Sequence, residues 1–203
     1  PTLDEQRLIA NYLDTKCSEI DSLQKDIEKE IETLEEYKKS VITEAVTKGL
    51  NPDVEMEDSG FDFVGNIPKT WSVVRFKNLG TYRNGLTYSP TNLCEENEGI
   101  LVLRSSNIKN GKLAFEDNAY VSSYVPNLLM VQKDDILICS RNGSQKLVGK
   151  CAIIPENLTA SFGAFMMIFK CNNKVLPKYA YYLLNSNVFS YYLASFFTST
   201  INQ

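Results

Sequence analysis

Three polar segments carry side chains suited to hydrogen bonding with the edges of nucleic-acid bases. Each follows a short apolar run typical of a β-strand, so each is expected to form a loop at a strand end. The segments are YRNGLTYS, RSSNIKNGK and SRNGSQKLVGK, and the candidate residues are Arg83, Asn84, Tyr88, Arg104, Ser105, Asn107, Lys109, Arg141, Asn142, Ser144, Gln145, Lys146 and Lys150. Arginine and lysine can pair with guanine and asparagine and glutamine with adenine, while lysine and serine can hold phosphates. These residue types predict a DNA-binding surface, although surface turns use Asn, Gly and Ser for backbone reasons as well.

Charge is distributed unevenly along the 203 residues. Residues 1–50 carry 12 acidic and 7 basic side chains (net −5), and residues 51–68 carry 5 acidic and no basic ones (net −5). Residues 69–203 carry 14 basic and 8 acidic side chains (net +6). Because the three polar segments all lie in the basic part, a polyanion such as double-stranded DNA is the favoured partner.

Motifs for catalysis and metal binding are sparse. The absence of histidine removes the commonest general base and every triad built on it. The five cysteines are widely spaced with no CxxC pair, which predicts reduced thiols and neither a disulfide framework nor a zinc site. The sequence also lacks the glycine-rich nucleotide motifs, HExxH, and the Asn/Asp-Pro-Pro-aromatic motif of amino-methyltransferases. We therefore expect no catalytic residue, no metal and no cofactor bound by this chain.

The first 50 residues are predicted to form one long helix. Thr2 can cap it, Glu5 completes a capping box, and Gly49 followed by Pro52 is a stop signal. Neither proline nor glycine occurs between Leu3 and Lys48, and such a helix would be roughly 68 Å long.

Apolar residues recur along this helix at heptad spacing, with Glu, Asp and Lys on the remaining surface. The heptad stripe consists of Leu13, Ile20, Leu23, Ile27, Ile31, Leu34, Tyr37 and Val41. Because a lone helix leaves such a stripe in water, the pattern predicts pairing with a second helix. The alternative is a solvated helix that lies on its own domain.

Residues 51–68 are predicted to be an acidic linker, and residues 69–203 a globular α/β domain. Apolar runs predict strands at WSVVRF, GILVLRSSNI, DDILICSRNG, GKCAIIP and AFMMIFKC, and helical spacing predicts a helix over residues 176–197. The expected fold class is mixed α+β, in which a long coiled-coil-type helix precedes a domain of short strands closed by a helix. Since neither a membrane span nor a signal peptide is evident, a cytoplasmic location is expected.

Several motifs, in this order along the chain, resemble those of the specificity subunit of type I restriction-modification systems. The most specific are a Pro-x-x-x-Glu-Gln start of the helix (Pro1, Glu5, Gln6) and a Gly-x-Ile-Pro-x-x-Trp start of the domain (Gly65, Ile67, Pro68, Trp71). KKSVITEAVTKGL, KDDILICSRNG and PKYAYYLLNS extend the resemblance over nearly the whole chain.

The resemblance implies a non-catalytic DNA-binding subunit. In that family two target-recognition domains alternate with two antiparallel spacer helices, and each domain reads one half of a bipartite DNA site. Methyltransferase subunits, which use S-adenosylmethionine, and a restriction subunit with motor and nuclease activity assemble with it. This sequence matches one helix and one domain, so it is expected to be an expressed fragment or a truncated half-subunit. Its helix is expected to pair with a second spacer helix, or antiparallel with another copy of itself.

Two other classes stay open. In one, the chain is a protein-interaction adaptor with helix-mediated dimerisation and no direct base readout. In the other it is a stand-alone nuclease or methyltransferase, which the missing motifs disfavour. If the chain reads DNA, alanine at Arg104 or Arg141 should weaken binding by ~1–3 kcal/mol, whereas changes at Lys109 or Lys150 should mainly lower the salt dependence.

Overall fold

The computed structural model describes residues 1–122 and 124–200, and the side chains of residues 1–122 and 124–195. It divides into two compact units, Pro1–Val41, which we call the arm, and Ile42–Gln203, which we call the globular unit. The mixed helix and strand content confirms the predicted fold class.

The arm is helical, as predicted. Helix α1 extends over Leu3–Lys48, so its last seven residues belong to the globular unit. Its N-terminus has the expected capping box: the Glu5 amide donates to Thr2 Oγ1 at 3.3 Å, and the Thr2 amide donates to Glu5 Oε2 at 2.7 Å. All eight residues of the heptad stripe are exposed, by 47% to 68%. The stripe is therefore available to a second helix, and its pairing stays a prediction.

The strands of the globular unit are short. Within the described residues they are β1 (Met56–Asp58), β2 (Asn66–Pro68), β3 (Gly80–Asn84), β4 (Leu93–Cys94), β5 (Ile100–Leu103), β6 (Ile108–Lys109), β7 (Lys112–Leu113), β8 (Tyr120–Val121), β9 (Ile136–Cys139), β10 (Cys151–Ile153), β11 (Ala160–Phe162) and β12 (Met166–Cys171). One sheet has the order β10-β9-β12-β3 and is antiparallel throughout. The other has the order β11-β5-β8-β4, in which β11 and β5 are parallel. β1 pairs with β2, and β6 with β7.

The two sheets pack face to face around the main core. Strand β9 has buried side chains on both faces of its sheet, because alternate side chains point in opposite directions. Leu137 and Cys139 join the core between the sheets, whereas Ile136 and Ile138 pack on the other face together with Phe169. All four residues of β9 are buried, which explains why its sequence is continuously apolar.

Two helices follow β12, where the sequence predicts one. They are α2 (Pro177–Leu184) and α3 (Asn187–Thr200). The break falls on Asn185 and Ser186, whose side chains donate to backbone carbonyls of α2, Asn185 to Tyr181 at 2.9 Å and Ser186 to Leu183 at 2.6 Å. Side chains that hydrogen-bond locally compete with helical hydrogen bonds, so the prediction of one uninterrupted helix is wrong.

The predicted strand at residues 71–76 is also absent. The Trp71 amide donates to the Pro68 carbonyl at 2.8 Å, which forms a turn, and residues 76–78 form a short 3-10 helix. Val73 and Val74 are 47% and 46% exposed, so the segment has no buried face to hold it in a sheet. The edge strand of this sheet, which pairs with β12 on the side away from β9, is β3, further along the chain.

The end of α1 is fixed within the globular unit. The Tyr179 hydroxyl on α2 donates to the Val46 carbonyl at 3.1 Å, and the first amide of α3, that of Asn187, donates to Thr43 Oγ1 at 2.8 Å. Gly49 follows the helix with φ 79°, and a Cβ there would lie 3.3 Å from the Trp71 ring. These contacts join the last turns of α1 to both C-terminal helices.

Replacing Thr43 with valine should lower the free energy of unfolding by about 1 kcal/mol, because the Asn187 amide loses its acceptor in a part-buried position. Urea denaturation measures this change. Thr33→Val is the matched control: that hydroxyl donates only to the Lys29 carbonyl on the exposed arm, so its effect should be within about 0.5 kcal/mol. If the two substitutions had equal effects, the hydrogen bond between Asn187 and Thr43 would not contribute to stability.

A buried carboxylate precedes β9. Asp135 is 3% exposed, and its Oδ2 accepts a hydrogen bond from the Gln132 amide at 2.9 Å. Burial raises the pKa of this carboxyl, although the Gln132 amide and the charges of Lys170 and Arg83 oppose the shift. Asp134 beside it is exposed, so only one of the adjacent aspartates is withdrawn from water.

The raised pKa makes a prediction about stability and pH. Because the folded protein holds the Asp135 proton more tightly than the unfolded chain, the free energy of unfolding should fall as pH rises from the unfolded pKa through the raised one. Asp135→Asn keeps an acceptor for the Gln132 amide and should abolish this fall. The variant should then be at least as stable as the wild type at neutral pH. Urea titrations between about pH 4 and pH 8 test this, with Asp134→Asn as the control for loss of charge; an unchanged pH dependence in Asp135→Asn would contradict it.

Candidate nucleic-acid interface

The three predicted polar loops begin around one turn, residues 163–165, which connects β11 to β12. We call residues 83–88 the first loop, residues 104–112 the second loop and residues 140–150 the third loop. Backbone hydrogen bonds tie the start of each to this turn or to the adjoining Met166. They include Gly85 N to Met166 O at 3.1 Å, Gly163 N to Leu103 O at 3.0 Å and Arg141 N to Phe165 O at 3.1 Å. The ends of β3, β5 and β9 therefore lie together, although they are far apart in sequence.

A side-chain contact links the second and third loops directly. Asn142 Nδ2 donates to Ser105 Oγ at 3.2 Å, across 37 positions of sequence. Asn142 Oδ1 also accepts from the Ser144 amide at 3.0 Å, which shapes the start of the third loop. Two of the predicted segments thus form one continuous polar surface.

Asn107 in the second loop has a structural role. Its side chain is fully buried; it accepts from the Arg104 amide at 2.9 Å and donates to the Ala114 carbonyl at 2.9 Å and Asn118 Oδ1 at 3.1 Å. A buried amide with these hydrogen bonds cannot reach a base in this conformation. We therefore correct the prediction that Asn107 contacts DNA and assign it to holding the second loop in shape.

Two of the three cations of the second loop, Arg104 and Lys109, are paired with acidic residues. Arg104 Nη2 lies 2.8 Å from Asp117 Oδ1, and Lys109 Nζ lies 3.1 Å from Glu116 Oε2. The hydrogen bond from Lys109 lowers the pKa of the Glu116 carboxyl. Arg104 Nε is buried and has no hydrogen-bond partner among the described residues. Both cations would have to share or exchange partners before they could hold a phosphate or a base.

The third loop is the most exposed of the three. Arg141, Ser144, Gln145, Lys146 and Lys150 are all exposed. In the part of the chain that the structure describes, no ion pair involves Arg141, Lys146 or Lys150. Leu147 packs on the core between the sheets and anchors the loop, which includes a short 3-10 helix at residues 145–147. An anchored loop with three uncompensated cations can bind an anion without first breaking an internal contact.

The first loop offers fewer accessible groups. Arg83 is part-buried, and its guanidinium donates to the Leu128 carbonyl. Tyr88 is part-buried and packs with the core residues Leu86, Val102 and Val121. Asn84, at the end of β3, is exposed. Of these three predicted residues, Asn84 is therefore the one best placed to meet a ligand.

Sequence reasoning missed two features of this surface. Phe165 is 66% exposed at the turn around which the loops begin, yet its apolar neighbours predict a buried strand residue. Glu116 and Asp117 pair with two of the three cations of the second loop, and their sequence position gives no sign that they face Lys109 and Arg104. Both features depend on which strands are neighbours in the sheets.

The described residues include five cysteines but no cluster of metal ligands. Among the described residues, no group of three or more acidic or cysteine side chains could hold a metal ion. All five cysteines are free thiols. Burial raises the pKa of Cys151 to about 12, even though Asn185 Nδ2 donates to its sulfur at 3.0 Å. None of the described helices is long and apolar enough to cross a membrane.

Comparison with known proteins places this architecture among restriction-modification proteins. The MjaVIII type I restriction enzyme specificity subunit of Methanocaldococcus jannaschii is 28% identical over 207 residues, which cover 98% of this chain and 46% of that protein. The EcoBI specificity subunit of Escherichia coli is 23% identical over 206 residues (95% and 42%), and the putative MjaX specificity subunit of M. jannaschii is 32% identical over 146 residues (70% and 31%). The chain spans about half the length of the first two. No family model matches it.

Solved structures support the fold. The HsdS subunit from Thermoanaerobacter tengcongensis matches with a TM-score of 0.50 at 16% identity, covering 91% of this chain and 41% of that one. A second match has a TM-score of 0.52 at 14% identity and the same coverage. It is a chain from a structure that concerns complex assembly and conformational transition of the type I restriction-modification system. The chain is thus homologous to the specificity subunits of type I restriction enzymes, and the resemblance predicted from its motifs is confirmed.

Proposed function

We propose that this chain is the DNA-reading part of a type I restriction-modification system and that it recognises one half of a bipartite site. In this proposal it catalyses nothing and binds no cofactor. Methyltransferase and restriction subunits assemble with it, and the methyltransferase uses S-adenosylmethionine. The homology to specificity subunits supports the class of protein, and the loops of the globular unit support the role within it.

The observation that carries the proposal is the convergence of the three loops around residues 163–165. Folded proteins place functional side chains on loops that a rigid scaffold positions. Here both sheets supply that scaffold, because β3 and β9 belong to one and β5 to the other. The surface combines exposed cations with exposed amides and hydroxyls, which is the mixture needed to hold a phosphate backbone and read base edges together.

In this proposal the predicted residues take different roles, according to their exposure and their ion pairs. Arg141 and Gln145 are exposed and of the types that pair with guanine and adenine. Lys146 and Lys150 are assigned to phosphates, which gain from neutralising charge through release of counterions. Arg104 and Lys109 take a secondary role, since Asp117 and Glu116 already hold them.

Co-expression with the modification subunit of a type I system tests this function. Sequencing the host DNA for methylated bases should reveal methylation confined to one short motif. The same experiment with Arg141, Lys146 and Lys150 all replaced by alanine should reduce that methylation, while the two subunits still copurify. Methylation without any sequence preference would contradict the proposal.

A protein-interaction adaptor is the second candidate function, and the exposed heptad stripe of the arm favours it. An adaptor would copurify with the modification subunit through the arm and yet leave DNA binding to that subunit. In that case the triple alanine variant and the wild type would give the same methylation pattern. The co-expression experiment therefore separates the two functions.

A further inference from the structure

We propose that Phe165 contacts a thymine methyl group in the major groove and so contributes to the choice of site. This inference rests on the proposed DNA-reading function and adds a residue to it that the polar motifs do not contain. The contact would be apolar, in contrast to the hydrogen bonds expected from the neighbouring loops.

Phe165 is held rigidly by its backbone. Its carbonyl accepts hydrogen bonds from the Ser140 amide and hydroxyl, both at 3.0 Å, and from the Arg141 amide at 3.1 Å. The turn is closed by the Met166 amide, which donates to the Gly163 carbonyl at 2.8 Å. A side chain on a backbone fixed in this way loses little conformational freedom on binding, which favours affinity.

The side chain of Phe165 is not used by the fold. It is 66% exposed, whereas Phe162 and Phe169, the phenylalanines on the adjoining strands, are fully buried. A single exposed apolar residue needs no explanation by itself. Phe165 differs because its carbonyl anchors the start of the third loop. Its ring therefore lies at the base of a loop whose three cations form no ion pair among the described residues.

The surrounding chemistry favours a base over a protein partner. Asn84 of the first loop and Arg141 of the third loop present hydrogen-bonding groups around the turn. On the major-groove edges of the bases, the thymine methyl is the apolar group, and phenylalanine is among the side chains that contact it. Burial of one methyl group should change affinity about fourfold.

A double-mutant cycle tests the inference on a duplex selected by this chain from random sequence. Each thymine of the selected motif is replaced in turn by uracil, which removes only the methyl group, and binding is measured with the wild type and Phe165→Ala. We expect Phe165→Ala to bind the selected duplex about tenfold more weakly. At one position, uracil should cost the wild type about fourfold and cost the variant nothing.

Phe61→Ala is the matched control, because Phe61 is 46% exposed in the connection between β1 and β2. It should leave affinity unchanged, and Phe165→Ala should keep the wild-type unfolding midpoint. Three results would overturn the inference and leave the proposed function intact. Phe165→Ala could bind the selected duplex as tightly as the wild type, the selected motif could contain no thymine, or uracil could weaken binding equally in both proteins. Failure of the wild type to prefer the selected duplex over a scrambled one would overturn the proposed function itself.

Discussion

Replacing Arg141 with alanine is expected to weaken binding to the cognate duplex by ~1–3 kcal/mol, or roughly 5- to 150-fold. Arg141 is exposed, its backbone is fixed by the Phe165 carbonyl, and it has no ion pair among the described residues. Its guanidinium can therefore form two hydrogen bonds to a guanine without giving up an internal partner. Fluorescence anisotropy with cognate and scrambled duplexes measures the loss, which should fall mainly on the cognate duplex.

Two variants control for charge alone. Arg75 is exposed and precedes β3, whereas Asn84 of the first loop is at the other end of that strand. Arg75→Ala therefore removes the same charge from a position outside the three loops. Arg75→Ala should leave cognate affinity nearly unchanged. Lys150→Ala should weaken cognate and scrambled duplexes alike and reduce the slope of log affinity against log salt by about one. If Arg141→Ala and Arg75→Ala have the same effect, the third loop does not read bases.

Replacing Ile27 with asparagine is expected to abolish self-association of the chain at tens of micromolar. Ile27 lies near the middle of the heptad stripe and is 57% exposed. Pairing of two arms would bury it at a central position, where a polar side chain lowers coiled-coil stability. The dissociation constant should rise at least about tenfold, and sedimentation equilibrium measures the change.

Lys25→Asn is the matched control, since Lys25 is an exposed polar residue two positions before Ile27 and outside the heptad stripe. It should associate like the wild type. Because the Ile27 side chain is exposed in the single chain, Ile27→Asn should leave the unfolding of the globular unit unchanged. A monomeric wild type at these concentrations would contradict self-association and leave a second spacer helix as the expected partner.

The arm could be predicted almost completely from sequence because its signals are local. The capping residues, the uninterrupted helical run and the glycine stop act within a few positions of one another, and α1 has the predicted bounds. The helix break at residues 185–186 was missed because side-chain hydrogen bonds of Asn185 and Ser186 override helical spacing. Residues 71–76 failed as a strand because apolar patterning does not show whether a face is buried.

The candidate site could be predicted only in part. Residue types identified the three loops, but their convergence depends on sheet topology, including the parallel pairing of β11 with β5, which spacing along the chain does not encode. The same limit explains why Asn107 was assigned to DNA rather than to the interior of the second loop. It also explains why the apolar run around Phe165 predicts a buried strand residue where the ring is exposed. Sheet topology, rather than residue type, determines which polar side chains are exposed.

Selection of duplexes from a random-sequence pool by the purified chain tests whether the three loops read DNA sequence. Two copies of one chain related by a twofold axis must present the same reading surface in opposite orientations. We therefore expect enrichment of one short motif, present twice in inverted orientation at a fixed spacing. A bound pool with the same sequence composition as the input would contradict it.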